Sequence, residues 1–168
     1  MAMPSTISTR KIYFFLCVLT FLVVAGSLIL QYGFKLQPCS LCIIDRALVM
    51  LMLLIFLVAF AHNPQKVGKL IYSSLGFIVA LGGMAVTARH LWLLQLPADK
   101  VPECGPGLSY LIETMPLHQA LAVVFSGDGE CTKNVPYFLG LSLPLWTMVA
   151  FVLLAVASWS PLFCGTKK

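Results

Sequence analysis

Four long apolar runs, separated by polar stretches, dominate this 168-residue chain. A helix of about 20 apolar residues is long enough to cross the hydrocarbon of a bilayer. The pattern predicts four such helices, at about 12–30, 41–61, 70–91 and 143–163. Between them lie a short outer loop, about 31–40, and a long outer loop, about 92–142. We therefore predict an all-α membrane protein in which residues 1–168 form a single four-helix bundle.

The composition supports insertion into a membrane. The chain is 60% hydrophobic and 10% charged, whereas soluble domains carry about 25% charged residues. Its net charge is +5, but the basic residues are scattered near the ends of the apolar runs, so nucleic acid is not an expected partner. Basic residues are denser in the short segments on the side of the termini, which predicts that both termini are cytoplasmic.

Two features of the apolar runs bear on packing and processing. Arg10 and Lys11 precede the first run, as in a signal peptide. The run is long for such a peptide and no small-residue cleavage site follows, which favours a retained helix. In the third run, the sequence predicts that Gly76, Gly82 and Gly83 allow neighbouring helices to approach closely.

The long loop contains a stretch with helical periodicity. Apolar residues share one face over 108–125, and the pattern is broken near Pro116. The sequence predicts a short surface helix there. Two placements remain open: the helix lies flat on the membrane, or it packs on residues of the loop itself.

The main candidate for chemistry is Pro38-Cys39-Ser40-Leu41-Cys42, a C-x-x-C motif that opens into the second span. It has three interpretations: half of a zinc site, a structural disulfide, or a redox-active pair. A disulfide that closes so small a loop stabilises little, and a helix start favours a thiolate. We favour the redox-active pair and expect no metal. Arg46 lies on the same helix face as Cys42; alternatively it pairs with Asp45 or a lipid phosphate, although adjacent helical residues point in different directions.

The predicted topology places four cysteines on the non-cytoplasmic side, where disulfides persist. They are Cys39, Cys42, Cys104 and Cys131. Four cysteines can form two disulfides in three ways, and the spacing of the cysteines along the chain does not show which of the three occurs. A Cys104–Cys131 bond is either a staple, worth roughly 3 kcal/mol, or an exposed bond that another protein reaches; the glycine-rich surroundings favour the second. We expect Cys17 and Cys164 to be non-catalytic.

These motifs, taken in order, resemble the DsbB family, the quinone-dependent disulfide-bond formation proteins of the bacterial inner membrane. The resemblance covers almost the whole chain. The matching stretches are Cys39-Ser40-Leu41-Cys42 with Asp45-Arg46, Arg89-His90-Leu91-Trp92, Cys104-Gly105-Pro106-Gly107, Gly129-Glu130-Cys131 and Leu143-Pro144-Leu145-Trp146.

The resemblance implies a role for each matching residue. Cys39 and Cys42 would pass electrons to ubiquinone or menaquinone, with Cys42 meeting the quinone ring and Arg46 supporting it. Cys104 would form a mixed disulfide with a periplasmic thioredoxin-like oxidant of the DsbA type. Cys131 would be its partner, and a transient Cys39–Cys131 bridge would relay electrons.

The resemblance also implies that His90, Leu143 and Trp146 contact the quinone. From the residues alone, His90 and Trp146 are equally well explained as polar and aromatic residues at the membrane interface. Two rival functions stay open at this point: a non-enzymatic four-span scaffold with structural loop disulfides, and a thiol oxidoreductase that delivers reducing equivalents outward.

Overall fold

The computed structural model describes residues 8–33, 39–96 and 140–163, together with Thr114, Pro116, Gln119, Tyr137 and Phe138. Cys104, Cys131 and Cys164 lie outside these described residues. Of the predicted loop helix at 108–125, only Thr114, Pro116 and Gln119 are described. The existence and placement of that helix therefore stay predictions.

Long helices make up most of the described chain. They are α1 (Thr9–Gly33), α2 (Ser40–His62), α3 (Lys66–Leu94), α4 (Leu143–Ser158) and the short α5 (Ser160–Phe163). Within the described ranges, four helical segments are long and apolar enough to cross a membrane, the fourth being Leu143–Phe163. The prediction of an all-α, four-span membrane protein is confirmed. Each predicted span falls inside one of these segments, and the position of the lipid boundary along each stays a prediction.

The ends of the helices follow from local chemistry. Asn63 ends α2 in the left-handed conformation (φ 44°), and its N–H donates to the Ala59 carbonyl at 3.0 Å. Asparagine tolerates this conformation, and the proline that follows it cannot continue the helix. Pro144 lies in the first turn of α4, where its missing N–H costs nothing. Pro161 has no backbone N–H and so cannot continue the hydrogen bonds of α4, which ends at Ser158.

A very short β-hairpin precedes α4, which the all-α prediction did not include. Strands β1 (Tyr137–Phe138) and β2 (Leu141–Ser142) pair antiparallel, with Tyr137 opposite Ser142. Gly140 lies in the turn with φ 80°, a conformation that glycine adopts at little cost. The hairpin leads the chain directly into the first turn of α4.

A stripe of small and polar residues runs along the buried face of α3. They recur at alternating spacings of three and four, and they are Lys69, Ser73, Gly76, Ala80, Gly83, Thr87 and His90. Larger buried side chains of the neighbouring helices, Phe56 of α2 and Phe151 of α4, pack against this stripe. Small residues at a helix interface let the backbones come close, which stabilises helix pairs in lipid.

The glycines of α3 differ in their surroundings. A Cβ atom at Gly83 would lie 2.2 Å from the Phe151 ring, and one at Gly76 would lie 2.8 Å from the Phe56 ring. At Gly82 a Cβ atom would meet nothing within 4 Å. The prediction of close approach is therefore confirmed for Gly76 and Gly83 and wrong for Gly82, because that residue points away from the neighbouring helices.

The outer faces of the helices are apolar. Phe15 is 64% exposed, Ile78 62% and Val156 70%. In water such surfaces would form patches far larger than a soluble monomer presents. They match the apolar surroundings that the four spans predict.

Contacts between helices fix which ends lie together. The position of Gly83 lies against Phe151, and that of Gly76 lies against the Ser158 hydroxyl, so α3 and α4 run antiparallel. The start of α4 is therefore level with the end of α3 that carries His90. Contacts of α2 with α3 place Cys39, at the start of α2, at the same end of the bundle.

Candidate functional site

The two cysteines of the C-x-x-C motif meet at the start of α2. Cys39 is the N-cap residue, and its Sγ accepts the Cys42 backbone N–H at 3.4 Å. The two Sγ atoms are 2.8 Å apart. Cys39 is buried and Cys42 is half-buried. Both thiols thus lie at the N-terminal, positive end of the α2 dipole, and Cys42 is the more accessible of the two.

Arg46, one turn further along α2, reaches towards α1. Its Nη1 donates to the Gln31 Oε1 atom, and its Nη2 donates to the Ser27 carbonyl at 3.5 Å. Its Nε is buried and has no hydrogen-bond partner among the described residues. Neither of these bonds involves Asp45, in agreement with the expectation that adjacent residues of a helix point in different directions.

His90 approaches the thiols from α3. Its Nε2 lies 3.9 Å from the Cys39 Sγ, and the side chain is only 2% exposed. The two sulfurs and a ring nitrogen all lie within 4.8 Å of one another. The ring is thus buried against a thiol, and its contact with a quinone stays a prediction.

Two thiols and an imidazole are also donors that zinc accepts. Around a tetrahedral zinc ion with Zn–S bonds of about 2.3 Å, two sulfurs stand roughly 3.8 Å apart. The sulfurs here are 2.8 Å apart, closer than that geometry allows. We assign no metal to this cluster, and the absence of a metal stays a prediction.

The sequence predictions did not include Asp45 and Thr87 among the site residues. Asp45 is 5% exposed and faces α3. The Thr87 Oγ1 lies 3.2 Å from each Asp45 carboxyl oxygen. The sequence did contain one signal for Asp45, because a carboxylate within an apolar segment is costly and commonly functional. Nothing in the sequence singles out Thr87, or Gln31 as the partner of Arg46.

A second arginine at this end of the bundle has different surroundings. The Arg89 guanidinium lies 4.3 Å from the centre of the Trp92 ring, and Trp92 is 49% exposed. A cation over an aromatic face is attracted by the negative face of the ring. Arg46 and Arg89 are thus two cations at one end of the bundle, and only Arg46 is on the helix that carries the thiols.

The remaining predicted site residues are not joined to the cluster by these contacts. Leu143 and Trp146 lie in the first turn of α4, level with His90, but the contacts given above do not include them. Cys104 and Cys131 are outside the described residues. Cys17 is a half-buried thiol within α1.

Comparisons with known proteins agree with this site. The family model described as "Disulfide bond formation protein DsbB" matches residues 9–160. Proteins called "Disulfide bond formation protein B" are similar over nearly their full length. The one from Hahella chejuensis is 46% identical over 154 residues, covering 89% of this chain and 91% of the relative.

Two further relatives give the same result. The protein from Nitrosococcus oceani is 46% identical over 155 residues, covering 90% of each chain. The one from Saccharophagus degradans is 44% identical over 161 residues, covering 95% of each chain. With four membrane-spanning helices, a thiol pair at the start of the second and a family match over most of its length, the chain belongs to the DsbB family.

Proposed function

We propose that this protein is a thiol:quinone oxidoreductase that reoxidises a periplasmic dithiol protein of the DsbA type. Electrons from the partner pass through Cys104 and Cys131, then through Cys39 and Cys42, to ubiquinone or menaquinone in the membrane. The protein lies in the bacterial inner membrane with both termini in the cytoplasm. The observation that supports this proposal most directly is the pair of thiols at the start of a membrane-spanning helix, whose Sγ atoms lie 2.8 Å apart.

The oxidising power required points to a cofactor. DsbA is a strong oxidant, with a potential near −120 mV, whereas ordinary structural disulfides lie below about −300 mV. A disulfide of the ordinary kind therefore cannot reoxidise such a partner. A bound quinone supplies a two-electron acceptor that a protein side chain cannot provide, and it dissolves in the same bilayer that the four helices span.

The residues around Cys42 suit a quinone. A quinone presents carbonyl oxygens, which accept hydrogen bonds. The buried Arg46 Nε has no partner among the described residues, and it lies one helical turn beyond Cys42. Arg46 would hold a quinone carbonyl at this donor, while Cys42, the more exposed thiol, faces the ring. Leu143, Trp146 and His90 lie at the same end of the bundle and would frame the ring.

The thiols would serve as a reversible electron carrier. When Cys39 and Cys42 form a disulfide, they release two electrons and two protons, and the quinone takes up both to become a hydroquinone. The disulfide then receives two electrons from the loop cysteines through a Cys39–Cys131 bridge. A thiol of the partner attacks the Cys104–Cys131 bond and forms the mixed disulfide with Cys104. The partner's second thiol then displaces Cys104, which leaves the partner oxidised.

Quinone reduction by the purified protein tests the proposal. The protein is mixed with a soluble ubiquinone analogue and a reduced DsbA-type partner, and hydroquinone formation is followed by absorbance. We expect turnover that requires the partner, the quinone and the protein together. A protein that forms stable loop disulfides but reduces no quinone, either ubiquinone or menaquinone, would instead be a scaffold.

A trapping experiment tests the order of the relay. Cys131→Ser removes the resolving thiol, so a mixed disulfide between Cys104 and the partner should accumulate. Cys104→Ser should abolish capture altogether. A partner attached at Cys39 or Cys42 would overturn the proposed order, which peptide mapping under non-reducing conditions would detect.

Membrane orientation is tested separately from chemistry. A membrane-impermeant thiol reagent, added to intact and then to opened spheroplasts after reduction, should label Cys104 and Cys131 in both. A cysteine introduced at Lys168 should react only after opening. The opposite labelling would invert the proposed topology.

A further inference from the structure

The proposed chemistry leaves a buried carboxyl group close to the thiols without a task. Asp45 is the one acidic side chain among the described residues, and it is 5% exposed within the bundle. A carboxyl group in an apolar interior is costly unless other groups compensate it. The fold nevertheless retains it between α2 and α3, one turn from Cys42.

Thr87 holds this carboxyl group in place. Its Oγ1 is 3.2 Å from both Asp45 oxygens and 2.8 Å from the Gly83 carbonyl oxygen. A threonine hydroxyl has one hydrogen to donate and can also accept. It can donate to an ionised Asp45, or it can donate to Gly83 and accept from a protonated Asp45. The same geometry therefore serves Asp45 with or without a proton.

The carboxyl group also acts on the histidine of the site. His90 follows Thr87 by three residues on α3, so the two side chains share one face. Asp45 and His90 interact electrostatically, and the His90 Nε2 faces the Cys39 Sγ at 3.9 Å. Contacts thus join Gly83, Thr87 and Asp45 in one group and His90 with Cys39 in another, and His90 lies one helical turn beyond Thr87.

In the described part of the chain, the titratable groups recorded beside His90 belong to α2. From α2 these are the Cys39 and Cys42 thiols and the Asp45 carboxyl group. Arg46 of the same helix is bonded to α1 instead. On α3 itself, the neighbouring Arg89 lies over Trp92. Asp45 is the one carboxyl group among the described residues, and when ionised it can stabilise a positively charged His90 ring.

We propose that Asp45 is a positioning residue that makes His90 the proton acceptor for Cys39, with Thr87 holding Asp45 in place. The inference rests on the proposed function. When the Cys39–Cys42 bond forms, two electrons leave for the quinone, and the Cys39 proton moves to the His90 Nε2. Hydroquinone formation consumes the two electrons, the Cys42 proton and the proton that His90 returns. The Cys39 proton thus reaches the hydroquinone through His90, whereas the Cys42 proton does not pass through His90.

The inference predicts a defined kinetic loss. Asp45→Asn keeps the size of the side chain and removes its charge, so the turnover number for quinone reduction should fall about 10- to 100-fold, the lower part of the range for proton-transfer catalysis. The quinone KM should change little, because Asp45 is not among the proposed quinone contacts. Asp45→Glu, which restores the charge, should recover part of the rate.

A double-mutant cycle tests whether Asp45 acts through His90. His90→Gln should lower the turnover number, and adding Asp45→Asn to that variant should lower it little further, because the group that Asp45 serves is gone. Multiplicative losses in the double variant would overturn the inference. A purely structural role for Asp45 would produce such independent losses and would also lower the unfolding temperature.

A matched pair of threonines tests the role of Thr87. Thr20 and Thr87 are both fully buried, and each donates to the carbonyl four residues earlier at 2.8 Å. Thr87→Val should reduce turnover several-fold, whereas Thr20→Val should leave it unchanged. Equal effects of the two substitutions would remove Thr87 from the proposal.

Two controls separate this inference from the proposed function. If the unsubstituted protein reduces no quinone, the proposed function fails before any variant is made. If it reduces quinone and Asp45→Asn does so equally well, only the inference fails. Disulfide exchange with the partner at Cys104 should persist in Asp45→Asn, and its loss would assign the defect to folding and overturn the positioning role.

Discussion

The two ends of the α3 stripe both bury polar groups, but these groups have different neighbours. The thiol end comprises Thr87 and His90 with Cys39, Cys42 and Asp45 of α2. The lysine end comprises Lys69 and Ser73 with Tyr13 of α1. Lys69 is 3% exposed and Tyr13 is fully buried. Both ends therefore carry the cost of burying polar atoms in an apolar bundle.

The difference lies in how the polar groups connect. At the lysine end, the Tyr13 and Ser73 hydroxyls lie close together without a hydrogen bond of normal geometry. At the thiol end, two sulfurs and an imidazole from two helices lie within 4.8 Å of one another, and the Asp45 carboxyl group is bonded to Thr87. Buried polarity alone is thus a poor sign of chemistry, and groups that exchange electrons or protons across a helix interface are a better one.

The largest expected effect is loss of the thiol that faces the quinone. Cys42→Ser should lower quinone reduction by on the order of 10³-fold or more, since the group that reacts is removed. Cys17→Ser, which replaces a half-buried thiol within α1, should leave the rate unchanged. The rate of hydroquinone formation at a saturating concentration of the partner measures the effect of both substitutions. A comparable loss in the Cys17 variant would contradict the assignment of the chemistry to the thiol end of the bundle.

Next in size is the removal of the cation beside Cys42. Arg46→Ala should slow quinone reduction on the order of 100-fold, the usual cost of removing one donor to a developing negative charge. Arg46→Lys should keep only part of the wild-type rate, because lysine has the positive charge but lacks the planar guanidinium group. Rates at several quinone concentrations separate KM from turnover, and partner exchange should be unaffected.

Arg89→Ala is the matched control for Arg46. It removes a cation from the same end of the bundle, where the guanidinium lies over Trp92. We expect less than about a threefold change, since a cation–π contact at an exposed site is worth about 0.5–1 kcal/mol and is not part of the site. Equal losses in both variants would mean that general positive charge, rather than the position of Arg46, supports quinone use.

A stability effect should distinguish the two faces of α3. Gly83→Ala should lower the free energy of unfolding by about 1–3 kcal/mol, because the added methyl group overpacks against Phe151. Gly82→Ala should raise it by up to about 1 kcal/mol, because alanine favours a helix and has open space there. Denaturation in mixed micelles, followed by circular dichroism, compares them. Equal changes would contradict the packing of α3 on α4.

The smallest effect is expected at the lysine end. Ser73→Ala removes a buried hydroxyl that lacks a well-formed hydrogen bond, so the free energy of unfolding should change by less than about 1 kcal/mol. Quinone reduction should stay the same. The same micelle denaturation and absorbance assays apply. A marked loss of quinone reduction in this variant would show that the lysine end takes part in the chemistry after all.

Relations within one helix could be predicted from the sequence. The four apolar runs, the C-x-x-C motif at the start of a span and the position of Arg46 one turn beyond Cys42 all depend on local spacing. Backbone geometry fixes such spacing once a helix forms. The separation of Asp45 and Arg46 onto different faces followed for the same reason. The conclusion that the chain is a four-span member of the DsbB family required little beyond this.

Relations between helices required the tertiary structure. His90 meets Cys39 across 51 positions of the chain, and Thr87 meets Asp45 across 42. These contacts depend on how far each helix is rotated about its axis and shifted along it, which local periodicity does not specify. Packing decides both, for example where Phe151 fills the space beside Gly83 while Gly82, next to it, points away. The sequence by itself determined the helices and the thiol pair, and only their packing determined which buried groups stand beside those thiols.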